Sequence, residues 1–287
     1  MPQLSQPLIS MDQFEMWAQG LDHPEGVACA ADGTVWAGGE AGQIYRISPE
    51  GKPQQIASTG GFILGLCLDA DSNVYACDIV RRAVMRITPA GQVSTYSSGS
   101  PDRPMVNPNY PVFDAQGNLY LADSGHWKQN DGCVYRISPG GGKAEVISAA
   151  PNQFPNGLAL SADGRTLYVV LSLMPGVVEL TINSDGSVSQ PRPVVSLPDT
   201  IPDGAAIDVE GNLYITCYTP DVIYRRTPGG ELSVLAYDPE HTLLSSPTNI
   251  AFCGRDRKML VVANLGRWHL ARTYVTVPGQ RLNYPKI

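Results

Sequence analysis

Short apolar runs of four to six residues recur along the chain, each cut off by a turn. One set alternates apolar and small or polar positions: Thr34-Val35-Trp36-Ala37, Asn73-Val74-Tyr75-Ala76, Asn118-Leu119-Tyr120-Leu121, Thr166-Leu167-Tyr168-Val169 and Asn212-Leu213-Tyr214-Ile215. A period of two is the mark of a β-strand. A second set, Ile44-Tyr45-Arg46-Ile47, Val84-Met85-Arg86-Ile87, Val134-Tyr135-Arg136-Ile137, Val177-Val178-Glu179-Leu180 and Ile223-Tyr224-Arg225-Arg226, follows at a constant interval. The first set is preceded by turns such as Asp32-Gly33, Gln116-Gly117-Asn118 and Glu210-Gly211-Asn212, whose Gly and Asn accept the positive φ of tight hairpins. The second leads into Ser48-Pro49-Glu50-Gly51, Thr88-Pro89-Ala90-Gly91 and Thr227-Pro228-Gly229-Gly230, which have the Pro and Gly of type I turns.

Each pair of runs is preceded by a short apolar strand with a fixed opening. The openings are Pro24-Glu25-Gly26, Ile63-Leu64-Gly65, Pro108-Asn109-Tyr110, Pro155-Asn156-Gly157, Pro202-Asp203-Gly204 and Pro247-Thr248-Asn249, their middle residues 39 to 47 positions apart. With a more polar fourth strand in each repeat, this predicts an all-β fold: a six-bladed β-propeller of four-stranded antiparallel blades. The last blade is short of one strand. The segment Asp12-Gln13-Phe14-Glu15-Met16-Trp17-Ala18 has no hairpin partner of its own, so it is expected to pair near Leu270 to Val275 and close the ring, removing two exposed edges. No linker is visible, and residues 1–287 read as one domain.

Composition narrows the function. The net charge is −7 and no basic stripe is present, which argues against nucleic acid. No apolar run is long enough to span a membrane. The opening Met1-Pro2-Gln3-Leu4-Ser5-Gln6 has neither a charged nor an apolar signal region, so a cytoplasmic location is expected. The six cysteines, Cys29, Cys67, Cys77, Cys133, Cys217 and Cys253, show no Cys-x-x-Cys spacing and read as small buried hydrophobes. A Cys67–Cys77 disulfide is the competing arrangement.

The chemistry lies in the six openings. In a closed ring their middle residues, Glu25, Leu64, Asn109, Asn156, Asp203 and Thr248, meet at one end of the axis. Asn-Gly and Asp-Gly pairs are ordinary turn formers singly. Four oxygen chelators sharing one register, with turn glycines elsewhere, predict a site for one hard divalent cation: Ca²⁺ first, with Mg²⁺, Mn²⁺ or Zn²⁺ as alternatives.

Pro24-Glu25-Gly26, the run from Pro155-Asn156-Gly157 to Leu167-Tyr168-Val169, and Pro202-Asp203-Gly204 together resemble the senescence marker protein-30/gluconolactonase/luciferin-regenerating-enzyme family over essentially the whole chain. The resemblance implies a six-bladed propeller, a single divalent ion on Glu25, Asn156 and Asp203, a metal or substrate role for Asn109, and hydrolysis of a lactone. Asp203 is then the candidate base. The chain departs from the family's sugar lactonases at Asn107 and Tyr110, where an Arg and an acidic residue are usual, and at Leu171-Ser172, where many relatives are acidic.

The expected function is therefore divalent-metal-dependent hydrolysis of a lactone or related cyclic ester, a small-molecule substrate. The alternatives are a non-catalytic binding propeller with a structural Ca²⁺, and a hydrolase of another ester-like or phenolic substrate. Expected substrate contacts are Asn109, Tyr110, His126, Trp127, Phe62 and Trp268, with His23 and His269 near the mouth. Phe62, Ile63 and Leu64 make the second blade's contribution apolar.

Overall fold

A computed structural model describes residues 6–287. It contains six four-stranded antiparallel sheets arranged as blades, and one short 3₁₀ turn at Met11–Gln13. In five blades the strands follow chain order from the axis outward, and in the last blade three do so before an N-terminal strand completes it. The innermost strands are Val27–Cys29, Ile63–Leu68, Pro108–Phe113, Pro155–Leu160, Ile201–Ile207 and Pro247–Cys253, and neighbouring ones pack side by side around the channel. The expected propeller is the observed fold.

The last blade is completed as the sequence predicts. Strand Glu15–Gln19 pairs antiparallel with His269–Tyr274, setting Glu15 opposite Arg272 and Gln19 opposite His269. Arg272 Nε donates to Glu15 Oε1 at 2.5 Å, and its guanidinium lies 5.0 Å from the Trp17 ring centre. The chain before this strand also reaches the neighbouring blade, Leu8 N and Ile9 N donating to Val234 O and Leu235 O.

The recurring aromatic of the second strand packs between blades. Tyr75 meets Phe113 edge-on with ring centres 4.9 Å apart, and Tyr214 meets Phe252 at 5.0 Å. Their hydroxyls are satisfied by a buried aspartate in the preceding hairpin. Asp69 accepts from Asn73 N, Asn73 Nδ2 and Tyr75 OH, and Asp208 accepts from Asn212 N, Asn212 Nδ2 and Tyr214 OH. All six cysteines are free thiols. Cys67 stands across from Tyr75 and Cys77 from Val84, so the Cys67–Cys77 bridge is not formed.

The far end of the channel is closed by residues 279–287. Gln280 Nε2 donates to Leu160 O, Asn283 Nδ2 to Phe113 O and Tyr284 OH to Cys29 O. A cavity of about 70 Å³, lined by Tyr110, Leu158, Ala205, Ile250, Gln280 and Tyr284 among others, remains inside. Among the described residues no helix is long and apolar enough to cross a membrane. Met1 to Ser5, which carry most of the signal-region reading, lie outside the described residues.

Candidate metal centre

In blades two to six the recurring opening interrupts the ladder between the first two strands, whereas in the first blade Glu25 stands just before the strand Val27–Cys29, which pairs in regular register with Val35–Gly38. The register slips between Ile63 and Leu66, Pro108 and Tyr110, Pro155 and Leu158, Pro202 and Ala205, and Pro247 and Ile250. A bulge at the start of a strand re-aims the side chain it carries. Asn109, Asn156 and Asp203 are buried at such bulges, Glu25 is buried at the matching position of the first blade, and Leu64 takes the same place in the second.

Two of these are carboxylates that act on each other. Burial first, and then the charge of Asp203, push the Glu25 carboxyl well above the usual carboxylate range. Burial raises Asp203 to about 7. Two buried carboxylates this close repel, and a shared positive charge relieves both the repulsion and the burial cost.

The amides are locked in one orientation. Ser124 Oγ–H donates to Pro155 O at 2.8 Å, so this hydroxyl is left to accept from Asn109 Nδ2 at 3.0 Å. Ser172 Oγ–H likewise donates to Pro202 O at 2.6 Å and accepts from Asn156 Nδ2 at 3.2 Å. A hydroxyl has one proton, and a backbone carbonyl can only accept. The amide nitrogens are therefore turned outward to the hydroxyls. Asn109 Oδ1, Asn156 Oδ1 and Asp203 Oδ1 are left buried with no hydrogen-bond partner.

Leaving a buried oxygen without a partner costs roughly 1–3 kcal/mol, and three at one end of one channel mark a place for a ligand that accepts oxygen donors. Two carboxylates and two carboxamide oxygens, with no thiolate or imidazole among them, suit a hard divalent cation. The residues present fit the group that the sequence implies: Glu25, Asn156 and Asp203, with Asn109 beside them.

Sequence reasoning missed the hydroxyls of Ser124 and Ser172, although Ser172 stood out as a departure from acidic relatives. It also missed the seam between the last and first blades. There Thr248 Oγ1 and Asn249 Nδ2 both donate to Glu25 O, at 2.8 and 3.0 Å.

The remaining expected contacts are spread around the mouth. His126 is exposed, with its Nδ1 2.7 Å from Asp131 Oδ2. Trp127 packs edge-on against Phe154, ring centres 4.8 Å apart, two residues before Asn156. Trp268 packs against His23, two residues before Glu25, at 5.1 Å. His269 is buried and donates from Nε2 to Leu243 O, which ties it to the loop wall. Phe62 packs with Leu64 in the apolar cluster of blades two and three. Tyr110 turns below the oxygen cluster, lining the internal cavity, and its ring closes on Gly65. A separate rim cluster of Asp22, His23 and Glu40 brings three potential ligand atoms within 4.8 Å of one another. Two of its three groups are engaged: Asp22 Oδ2 accepts from Ala41 N and Gln43 Nε2, and His23 Nδ1 donates to Leu265 O.

The profile of the SMP-30/Gluconolactonase/LRE-like region matches residues 40–265, and that of a strictosidine synthase-like N-terminal region matches residues 10–47. A gluconolactonase of Zymomonas mobilis is 26% identical over 251 residues, which cover 78% of this chain and 68% of that protein. A lactonase of Staphylococcus saprophyticus is 28% identical over 164 residues, 54% of this chain and about half of the relative, 49%. Among solved structures, a gluconolactonase of Xanthomonas campestris superposes with a TM-score of 0.77 at 22% identity, over 93% of this chain and 89% of that one. Regucalcin of Agrobacterium tumefaciens, a calcium-binding protein, superposes with a TM-score of 0.76 at 16% identity, over 98% and 99%. At these identities the two structures speak for the fold, and the profile match, which covers most of the length, speaks for descent: the chain belongs to the SMP-30/gluconolactonase/LRE-like family.

Proposed function

We propose that this protein is a divalent-cation-dependent hydrolase of lactones. The observation that carries the reading is the set of buried, partnerless oxygens at the channel mouth, two of their neighbours held by hydroxyls that leave no other amide orientation. The names of the relatives, gluconolactonase and lactonase, point to the same bond.

Glu25, Asn156 and Asp203 would hold the cation, Ca²⁺ by preference, with Asn109 completing the set or meeting the substrate. A cation held there supplies Lewis acidity toward a carbonyl oxygen and lowers the pKa of water. The chain's own contribution is position and proton transfer. Asp203, with two carboxylate oxygens, takes the proton from the attacking water as its oxygen bonds to the lactone carbonyl carbon. The ring carbon–oxygen bond then breaks, and the proton passes to the departing alkoxide. One water is consumed and one hydroxy acid is formed.

The mouth favours a substrate with an apolar substituent. Val80, Trp127, Met174, Tyr218 and Trp268 are all exposed, and each lies where the second strand of its blade passes into the third, in five consecutive blades. Strands in a sheet are about 4.8 Å apart, so these side chains stand one to two strand spacings outside the channel wall. Trp127 and Trp268 would flank the substrate body, with His126 and Phe62 beside it and Tyr110 beneath.

The test is a panel of lactones of equal ring size, carrying hydroxyl, alkyl or aryl substituents, assayed for acid release before and after chelation. Turnover abolished by chelator and restored by Ca²⁺ is the expected result. Turnover of no lactone, or turnover indifferent to chelator, sinks the proposal. In the first case the protein is a binding module.

A further inference from the structure

The third residue of the recurring opening carries information of its own. It is glycine in four blades: Gly26, Gly65, Gly157 and Gly204. A Cβ there would stand 2.0 Å from Leu64 O, 2.7 Å from Asn109 O, 2.6 Å from Asp203 O and 2.5 Å from Thr248 O, respectively. The inner strands of adjacent blades come too close for a side chain. Two blades break the pattern, the third with Tyr110 and the sixth with Asn249, which is fully buried.

The Asn249 amide spans the seam. Its Nδ2 donates to Glu25 O of the first blade at 3.0 Å. That carbonyl can only accept, so the orientation is fixed and Oδ1 faces back toward the fifth blade. There Oδ1 lies 2.9 Å from the Cβ position of Gly204, next to Asp203 in the chain, and it has no hydrogen-bond partner. Asn249 thus sits between the two carboxylate-bearing segments and presents a bare oxygen, as Asn109 and Asn156 do.

We infer that Asn249 Oδ1 is a fifth protein oxygen for the cation and that it sets the preference for Ca²⁺ over Mg²⁺. The inference rests on the cation site proposed above. Ca²⁺ accepts six to eight oxygens with loose geometry. Mg²⁺ demands an octahedron, keeps several waters, and is usually held by one or two carboxylates. Two carboxylates and three carboxamides approach the first requirement and exceed the second.

The experiment is calorimetric titration of chelator-stripped protein with CaCl₂ and with MgCl₂, alongside thermal unfolding in each. Asn249→Ser should weaken Ca²⁺ binding at least tenfold and Mg²⁺ binding much less, so that the ratio of the two affinities falls. Thr248→Val breaks the companion bond to Glu25 O without removing an oxygen from the cluster. It should lower the melting temperature and leave Ca²⁺ affinity unchanged. Asn249→Asp keeps the size and adds a charge, and its melting temperature should rise more on adding Ca²⁺ than that of the wild type. Ca²⁺ affinity of Asn249→Ser within twofold of wild type overturns the inference while leaving the cation site standing. So does an equal loss in Thr248→Val, which would make Asn249 a seam residue only. If Asn249→Ser does not fold, the Asn249→Asp increment decides, and no increase overturns the inference. No heat from the wild type with either metal overturns the cation site and the inference together.

Discussion

At the scale of single residues, the site is a set of oxygens whose directions are decided by their neighbours. Asp203 and Glu25 carry equal charge but unequal expected roles, and isosteric substitution separates them. Asp203→Asn keeps an oxygen and the volume but removes the base. Turnover should fall about 10²–10⁴-fold, the usual contribution of general-base catalysis. Glu25→Gln removes a charge from a residue assigned only to holding the cation. Its loss should be partly recovered at saturating CaCl₂, whereas Asp203→Asn should not recover. Steady-state rates of both variants across a CaCl₂ series check this, and full recovery of Asp203→Asn would leave it a ligand only. Ser172 is bonded to Asn156 and is expected to act through it. Ser172→Ala strands Asn156 Nδ2 and Pro202 O, both bonded to the hydroxyl in the native protein. It also frees the amide to turn. Loss of such a supporting bond typically costs about 10–100-fold in metal affinity. Ser172→Thr restores the hydroxyl and should restore most of the Ca²⁺ affinity, measured by titration calorimetry. Equal affinity in Ser172→Ala would remove Ser172 from the site.

At the scale of elements, buried aspartates anchor the loops that lead into the site. Asp78 Oδ1 accepts from Phe62 N, Val80 N and Arg81 N, and Asp123 accepts from Val106 N, Asn107 N and Gly125 N. Asp238 Oδ2 accepts from Thr242 N, Leu243 N and Leu244 N in the loop before Thr248 and Asn249. Burial pushes the Asp238 carboxyl up, but the amides of Leu244, Leu243, Thr242 and Glu240 outweigh it and hold it below its usual value. A depressed folded-state pKa gives stability that is present above the unfolded value, about 3.9, and is lost as pH falls through the folded one. Asp238→Asn should therefore destabilise near neutral pH by about 1–3 kcal/mol, the scale of hydrogen bonds to a charged group. Its deficit should shrink on acidification to below about pH 3, below the unfolded carboxylate range. Thermal unfolding of both proteins over that range measures it, and a deficit constant with pH would rule out the ionised anchor. Such anchors were hard to see in the sequence. The strands were legible because a period of two and the Gly and Pro turns are local signals. The position of Asp69 four residues before Asn73 looks like any turn until the Tyr75 hydroxyl is seen on it. The bonding roles of Ser172 and Asn249 were not legible because their partners, Pro202 O and Glu25 O, are backbone atoms of the next blade, and no spacing within one blade encodes them.

At the scale of the molecule, the ring is held at two places, and the sequence showed one. The strand Glu15–Gln19 was legible as the missing member of the last blade because its apolar pattern lacked a partner. Residues 279–287 carry no alternation, and their order comes from bonds to backbone atoms of all six blades. Gly279 N donates to Arg257 O, Gln280 N to Ile207 O and Ala70 N to Pro285 O. Gln280 Nε2, Asn283 Nδ2 and Tyr284 OH reach Leu160 O, Phe113 O and Cys29 O. One short segment thus ties together the turns at the end of the channel opposite the proposed cation site. It bonds to none of Glu25, Asn109, Asn156, Asp203 or Asn249 among the contacts of the described residues. Truncation after Pro278 should therefore separate stability from the site. Each bond contributes about 0.5–1.5 kcal/mol net, so losing six of them, with the packing of Tyr284 and Ile287, is a loss of several kcal/mol. At about 2–4 °C per kcal/mol for chains of this order of size, the melting temperature should fall by about 10 °C or more. The Ca²⁺ affinity of the protein that remains folded should stay near the wild-type value, because the opposite end of the channel keeps its bulges and hydroxyl locks. Deleting residues through Gln19 instead reopens the last blade, whose inner strand carries Thr248 and Asn249, and should lower stability and Ca²⁺ affinity together. Thermal unfolding and calcium titration of the two truncations, side by side, give the decisive comparison: an unchanged melting temperature after removal of residues 279–287 would deny the segment its role as a stopper, and an equal fall in Ca²⁺ affinity in both truncations would show that the two ends of the channel are not independent.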